Sequence, residues 1–209
     1  MVNEAITGLI GYALEKKLIL PEERVWAINA LLEVLHLDSF QEPETAPAAR
    51  PLPELLKELT DDAAARSVFE DRCGADRDRF DTALMGRLTP RPAEVIAEFR
   101  RRYGESPEAA TNWYYDFSQN TNYIRRDRTA RDLRWKTATA FGDLDITINL
   151  AKPEKDPRDI AAAKNSSGGY PECLLCRENE GFSGVPGRPA RQNHRLIPLR
   201  LGGENWYLQ

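Results

Sequence analysis

The stretch Asp143-Leu144-Asp145-Ile146-Thr147-Ile148-Asn149-Leu150 decides the fold class. Apolar and polar residues alternate one for one, the period of a strand with one face buried and one in water. The sequence before it has a different rhythm. Ile6, Leu9, Ile10, Ala13 and Leu14 fall at helical spacing within residues 3–18. Pro21 suits the first turn of a second helix, whose apolar side carries Val25, Ile28, Leu31, Leu32 and Leu35. Residues 41–53 hold four prolines and read as a linker or an extended crossing segment. Further helices are expected near 54–72, 78–88 and 92–103. Ser106-Pro107-Glu108 then supplies a capping serine and a proline at the first helical position. After the strand, Asp156-Pro157 opens a short helix through residue 163, and 166–169 is a loop. Residues 196–199 form a second strand, which Pro198 confines to an edge or a short length, and 204–209 a third. The expected class is α+β. Residues 1–105 form a helical region, and 106–209 contain the beginning of a sheet.

Composition bounds the function. The 209 residues are 41% hydrophobic and 30% charged, the profile of a globular chain. A formal net charge of -4 excludes broad non-specific binding to nucleic acid, which needs a basic surface. No apolar run approaches the ~18 residues of a membrane span. Met1-Val2-Asn3-Glu4 offers no basic region ahead of an apolar core, so no signal peptide is expected and the cytoplasm is the default compartment. The sequence stops inside the aromatic, strand-like run Trp206-Tyr207-Leu208-Gln209. An apolar strand with a free edge is a liability at a natural terminus, so the chain is expected to be truncated there.

Three features carry candidate chemistry. Cys173 and Cys176 frame a Cys-x-x-Cys, and the third cysteine, Cys73, reads as a spectator among charges. Such a pair fits half a tetrahedral zinc site, a redox couple, or two small buried hydrophobes. Residues 123–136 hold Arg125, Arg126, Arg128, Arg131, Arg134 and Lys136 against two acids. The fork of an arginine matches phosphate oxygens, so the cluster fits a diphosphate as well as it fits a solvated basic face. Trp113, Tyr114, Tyr115, Tyr123 and Trp135 lie close by and serve equally as core or as stacking surfaces. His194 lies within Arg191-Gln192-Asn193-His194-Arg195, where flanking arginines disfavour its protonated form. The other histidine, His36, follows a helical leucine and reads as structural. The sequence contains no phosphate loop, no Gly-x-Gly-x-x-Gly and no Gly-x-Ser-x-Gly.

Four ordered segments resemble one family. They are Asn112-Trp113-Tyr114-Tyr115-Asp116-Phe117-Ser118-Gln119-Asn120-Thr121-Asn122-Tyr123-Ile124-Arg125, the run 145–157, Cys173-Leu174-Leu175-Cys176-Arg177-Glu178-Asn179-Glu180-Gly181-Phe182, and Pro189-Ala190-Arg191-Gln192-Asn193-His194-Arg195. Together they are similar to the second, Firmicute-type class of galactose-1-phosphate uridylyltransferases. The resemblance implies transfer of UMP from UDP-glucose to galactose 1-phosphate through a covalent histidine intermediate. A neutral imidazole is an effective nucleophile, and splitting the transfer in two lets one site serve both sugars. In that family the nucleophile lies in a His-x-His followed by Gln-Gly, a motif the 209 residues lack. The resemblance therefore implies an N-terminal portion with no catalytic residue, inactive alone, in which 106–209 begin a mixed histidine-triad-like sheet. It also implies zinc at Cys173 and Cys176, with two histidine ligands that come from sequence beyond these 209 residues, or one of them from His194. Arg125, Arg126 and Arg128 are implied at the nucleotide phosphates and Asn193 at the uridine. Pairing as a homodimer follows by the same likeness. Arg188 stands where the family pattern often has histidine, which removes one possible ligand. Two other classes fit the residues: a uridine-nucleotide or zinc-binding module without catalysis, and a helical interaction protein built on 1–105.

Overall fold

A computed structural model describes residues 2–45, 47–149, 161 and 169–209. Helix α1, Val2–Glu15, buries Ala5, Ile6, Leu9, Ile10 and Ala13 on one stripe. It stops where Lys17 turns left-handed (φ 56°). A single 3₁₀ turn, Pro21–Glu23, leads into α2, Arg24–Leu35, and the Glu23 carboxylate accepts the Leu20 N–H at 2.7 Å. Helices α3, Leu52–Ala65, and α4, Gly74–Leu88, follow the proline-rich crossing. Pro92 and Pro107 occupy the first turns of α5, Pro92–Tyr103, and α6, Pro107–Asn120. As expected, the Ser106 hydroxyl caps α6 by accepting the Ala109 N–H at 2.9 Å. A one-turn helix, α7, spans Arg126–Thr129.

The helices share one core. α1 packs on α3, α2 on α4, and α5 on α6. Ile6, Leu9, Ile10, Leu31, Leu35, Leu55, Leu59, Leu84, Met85 and Leu88 are buried in one cluster that extends through Val95 and Phe99 to Phe117 and Ile197. Burial of this kind contributes about 1.5–3 kcal/mol per large aliphatic side chain, which outweighs the weak intrinsic helicity of segments this short.

The strands form two separate antiparallel ribbons: β1, Leu133–Thr139, with β2, Gly142–Ile148; and β3, Ile197–Leu201, with β4, Glu204–Leu208. Trp135 lies opposite Ile146 in the first, and Leu199 opposite Trp206 in the second. The β3–β4 turn is Gly202-Gly203, with φ of +60° and +87°. A two-residue hairpin turn of the type I′ kind needs positive φ at both central residues, and glycine takes it without strain.

The α+β class and the helical first half stand as expected. Three details differ. The helix expected over 54–72 ends at Ala65, because Ser67 turns left-handed (φ 59°), and that expected from 78 starts at Gly74. The 143–150 strand is not half-buried: only Ile146 in β2 is partly shielded, because no described element covers its apolar face. The described strands make antiparallel ribbons rather than a joined mixed sheet. Leu150 and the helix expected over 156–163, apart from residue 161, lie outside the described residues, as do 166–168 of the expected loop.

Candidate functional site

The segment Arg191-Gln192-Asn193-His194-Arg195 is locked against the helices. The Arg195 guanidinium is buried and donates to four carbonyls: Pro90 at 2.7 Å, Gln192 at 2.8 Å, His194 at 2.7 Å and Thr89 at 3.2 Å. Burial lowers its pKa. Its own carbonyl accepts the Tyr114 hydroxyl at 2.5 Å. Gln192 presses on α4 at Gly86, where an added Cβ would lie 2.5 Å from the Gln192 Cβ. Asn193 is buried, and its amide donates to the Thr121 carbonyl at 2.8 Å. His194 is buried too, its ring stacked 3.7 Å from that of Tyr123. Arg191 lies 5.6 Å from the other ring of this stack. Among the described residues the buried His194 Nε2 has no hydrogen-bond partner. Burial first, and the charges of Arg191 and Arg195 second, push its pKa down to about 3. At neutral pH the ring is therefore uncharged.

The cysteine pair sits on a braced turn. The two sulfurs are 3.2 Å apart, the Cys173 N–H donates to the Cys176 Sγ at 3.2 Å, and the Cys176 N–H donates to the Cys173 carbonyl at 3.2 Å. Asn179 spans the turn from inside, donating to the Cys173 and Cys176 carbonyls at 3.0 and 3.1 Å. Arg188 holds Asn179 in turn, donating to its Oδ1 at 2.8 Å and to the Glu178 carbonyl at 2.7 Å while lying 3.7 Å over the Phe182 ring. The Cys176 thiol and the Leu175 backbone N–H lower the Cys173 pKa, and the same contact raises that of Cys176. A tight turn with N–H groups aimed at sulfur favours thiolate, and two thiolates are half of a tetrahedral zinc set. Among the described residues no third His, Cys, Asp or Glu joins them in a group able to hold a metal, so His194 and the pair are separate features. They are joined through backbone: the Gly181 N–H donates to the Arg191 carbonyl at 3.0 Å, and the Arg191 N–H to that of Phe182 at 2.8 Å.

The basic segment divides. Arg125 makes a two-pronged contact with Asp81 at 2.5 and 2.9 Å. Arg128 grips Asp78 in the same manner, one arm at 2.7 Å. These four side chains clamp the start of α7 to α4. Arg126, between them in sequence, is exposed. The sequence reading missed the acidic partners, although Asp78 and Asp81 carry the same three-residue spacing as Arg125 and Arg128. It also missed Asn179, Arg188 and Tyr114 as braces, since each acts on backbone carbonyls that no side-chain pattern announces.

Residues 36–194 match the family described as "Galactose-1-phosphate uridyl transferase, N-terminal domain". The chain is 46% identical over its full length to a galactose-1-phosphate uridylyltransferase from Clostridium acetobutylicum, covering 42% of that protein. It is 45% identical to one from Butyrivibrio fibrisolvens, covering 54% of it, and 42% identical to one from Bacillus subtilis, covering 41%. No solved structure matches. The chain belongs to the galactose-1-phosphate uridylyltransferase family and corresponds to its N-terminal domain. It spans about half the length of these relatives. No helix among the described residues is long and apolar enough to cross a membrane.

Proposed function

We propose that the chain is the N-terminal portion of a cytoplasmic uridylyltransferase of galactose metabolism, which moves UMP from UDP-glucose to galactose 1-phosphate through a covalent histidine intermediate. One observation carries the reading: identity of 46%, sustained over the whole chain, to a relative that bears this name. The 209 residues do not themselves supply the nucleophile. His36 is the left-handed cap of α2 (φ 49°), and His194 is buried in a stack. Neither belongs to a His-x-His. The chain contributes substrate contacts and scaffold, and is inactive alone. Of Arg125, Arg126 and Arg128, Arg126 is the one left to meet nucleotide phosphate, since Arg125 and Arg128 are held by carboxylates. Cys173 and Cys176 supply two thiolate ligands to zinc, which would staple the turn; the remaining ligands come from outside the described residues.

The test is an assay of glucose 1-phosphate release from UDP-glucose and galactose 1-phosphate. The 209-residue chain alone should release none. Co-expression with the remaining portion of the Clostridium acetobutylicum relative should restore release. Turnover by the chain alone would overturn the assignment of the nucleophile elsewhere. Absence of turnover by a recovered complex would overturn the activity.

A further inference from the structure

The β1–β2 ribbon sorts its side chains by face. Leu133, Trp135 and Thr137 of β1 oppose Ile148, Ile146 and Leu144 of β2, so five apolar side chains share one face. The other face carries Arg134, Lys136, Asp143, Asp145 and Thr147, with Lys136 and Asp145 paired across the strands at 3.7 Å. The polar face suits water. The apolar face is in water as well: Leu133, Trp135, Leu144 and Ile148 are 53%, 45%, 55% and 45% exposed. Phe141, at the tip, is fully exposed. A two-stranded ribbon is at best marginally stable unless another layer covers its apolar face, and a contiguous exposed apolar face marks an interaction surface. Trp135 at its centre and Phe141 at its tip are bulky aromatic anchors of the kind that dominate protein interfaces.

We infer that this apolar face is a docking surface for the portion of the uridylyltransferase polypeptide that lies beyond the region matched here. The inference rests on the function proposed above. Relative lengths identify the occupant. The chain covers 42% of the Clostridium acetobutylicum relative and 41% of the Bacillus subtilis one, so more than half of each family polypeptide lies outside the matched part. That portion is large enough to supply a covering layer in a fixed one-to-one ratio. The exposed face carries no charge to steer an ionic ligand, so the surface it meets is apolar protein. The interaction would couple the ribbon, which follows the Arg125–Asp81 clamp directly in sequence, to the part of the protein that carries the nucleophile.

The experiment co-expresses the tagged 209-residue chain with the remaining portion of the Clostridium acetobutylicum relative. The expected result is a one-to-one complex whose recovery falls at least about tenfold in the double variant Leu144→Asp, Ile148→Asp. Lys136→Ala, on the opposite face, should leave recovery unchanged. Circular dichroism of each variant alone should show the helical melting of the parent, because the ribbon adds no side chain to the helical core. Recovery independent of Leu144 and Ile148 would overturn the inference, and so would failure to recover any complex. Self-association of the 209-residue chain abolished by the same double variant would also overturn it, since the occupant would then be a second copy. Uridylyl transfer by the recovered complex is read separately. Transfer with face-independent assembly refutes the docking surface alone; a face-dependent complex without transfer refutes the activity alone.

Discussion

Replacing Arg125 with alanine tests whether this arginine is structural. The side chains of Arg125 and Asp81 are 18% and 14% exposed, and two hydrogen bonds join them. Arg125→Ala leaves the Asp81 carboxylate in that environment without its partner. Stranding one member of a buried pair costs about 3–5 kcal/mol, and the residual exposure here places the loss near the lower end, about 3 kcal/mol. In a domain of this size 1 kcal/mol corresponds to about 2–4 °C in Tm, so melting should fall by about 6–12 °C. Urea unfolding followed by circular dichroism should give the same loss. Asp81→Ala strands the arginine, which reaches water more readily, and costs less. The double variant should recover part of the sum, with a coupling of about 2 kcal/mol, because neither charge is then left alone. Arg126→Ala, at an exposed position, should change stability by less than about 0.5 kcal/mol. Arg125→Ala matching Arg126→Ala would refute the reasoning and return Arg125 to the candidates for phosphate contact.

Three further outcomes follow from the site. His194 folds as the neutral ring, with its pKa at about 3 against an ordinary 6.5, so the unfolded chain takes up the proton first. The resulting stability is complete above pH 6.5 and is lost as pH falls toward 3, by about 2 kcal/mol at pH 5. His194→Phe keeps the stack on Tyr123 and should remove this component, so urea midpoints of parent and variant that fall in parallel between pH 7 and pH 5 would contradict it. The Glu98 carboxylate, held down at about 2 mainly by Arg101, loses stability in the same direction and cancels in the comparison. Gly86→Ala would ordinarily strengthen a helix by up to about 1 kcal/mol, but its Cβ would strike Gln192 at 2.5 Å. Net destabilisation of about 1–3 kcal/mol is expected, and a higher Tm would contradict the close docking of residues 191–195. In limited alkylation near pH 7.5, Cys173 should react before Cys176, as peptide mass spectrometry would show; the reverse order would contradict the opposed shifts of the two thiols.

The helical half was legible because its information is local. Ile6, Leu9, Ile10 and Ala13 announce a buried stripe by spacing alone, and Ser106-Pro107 announces a helix start by the chemistry of two residues. β2, β3 and β4 were legible as strands for the same reason, down to the Leu144, Ile146 and Ile148 alternation, whereas β1 was not, because Arg134 and Lys136 made its residues read as part of the basic run 123–136. Burial was not legible there, since alternation says which face suits a core but not which element supplies it. The site failed to read through for a related reason. Six basic residues in 123–136 look alike in sequence, yet Asp78 and Asp81, more than 40 positions earlier, hold Arg125 and Arg128 while Arg126 projects into water. Local pattern identifies a charge; only the fold decides whether another charge has already claimed it. The same holds for His194, whose flanking arginines correctly forecast a neutral ring, but whose burial against Tyr123 contributes more to that outcome than either arginine does.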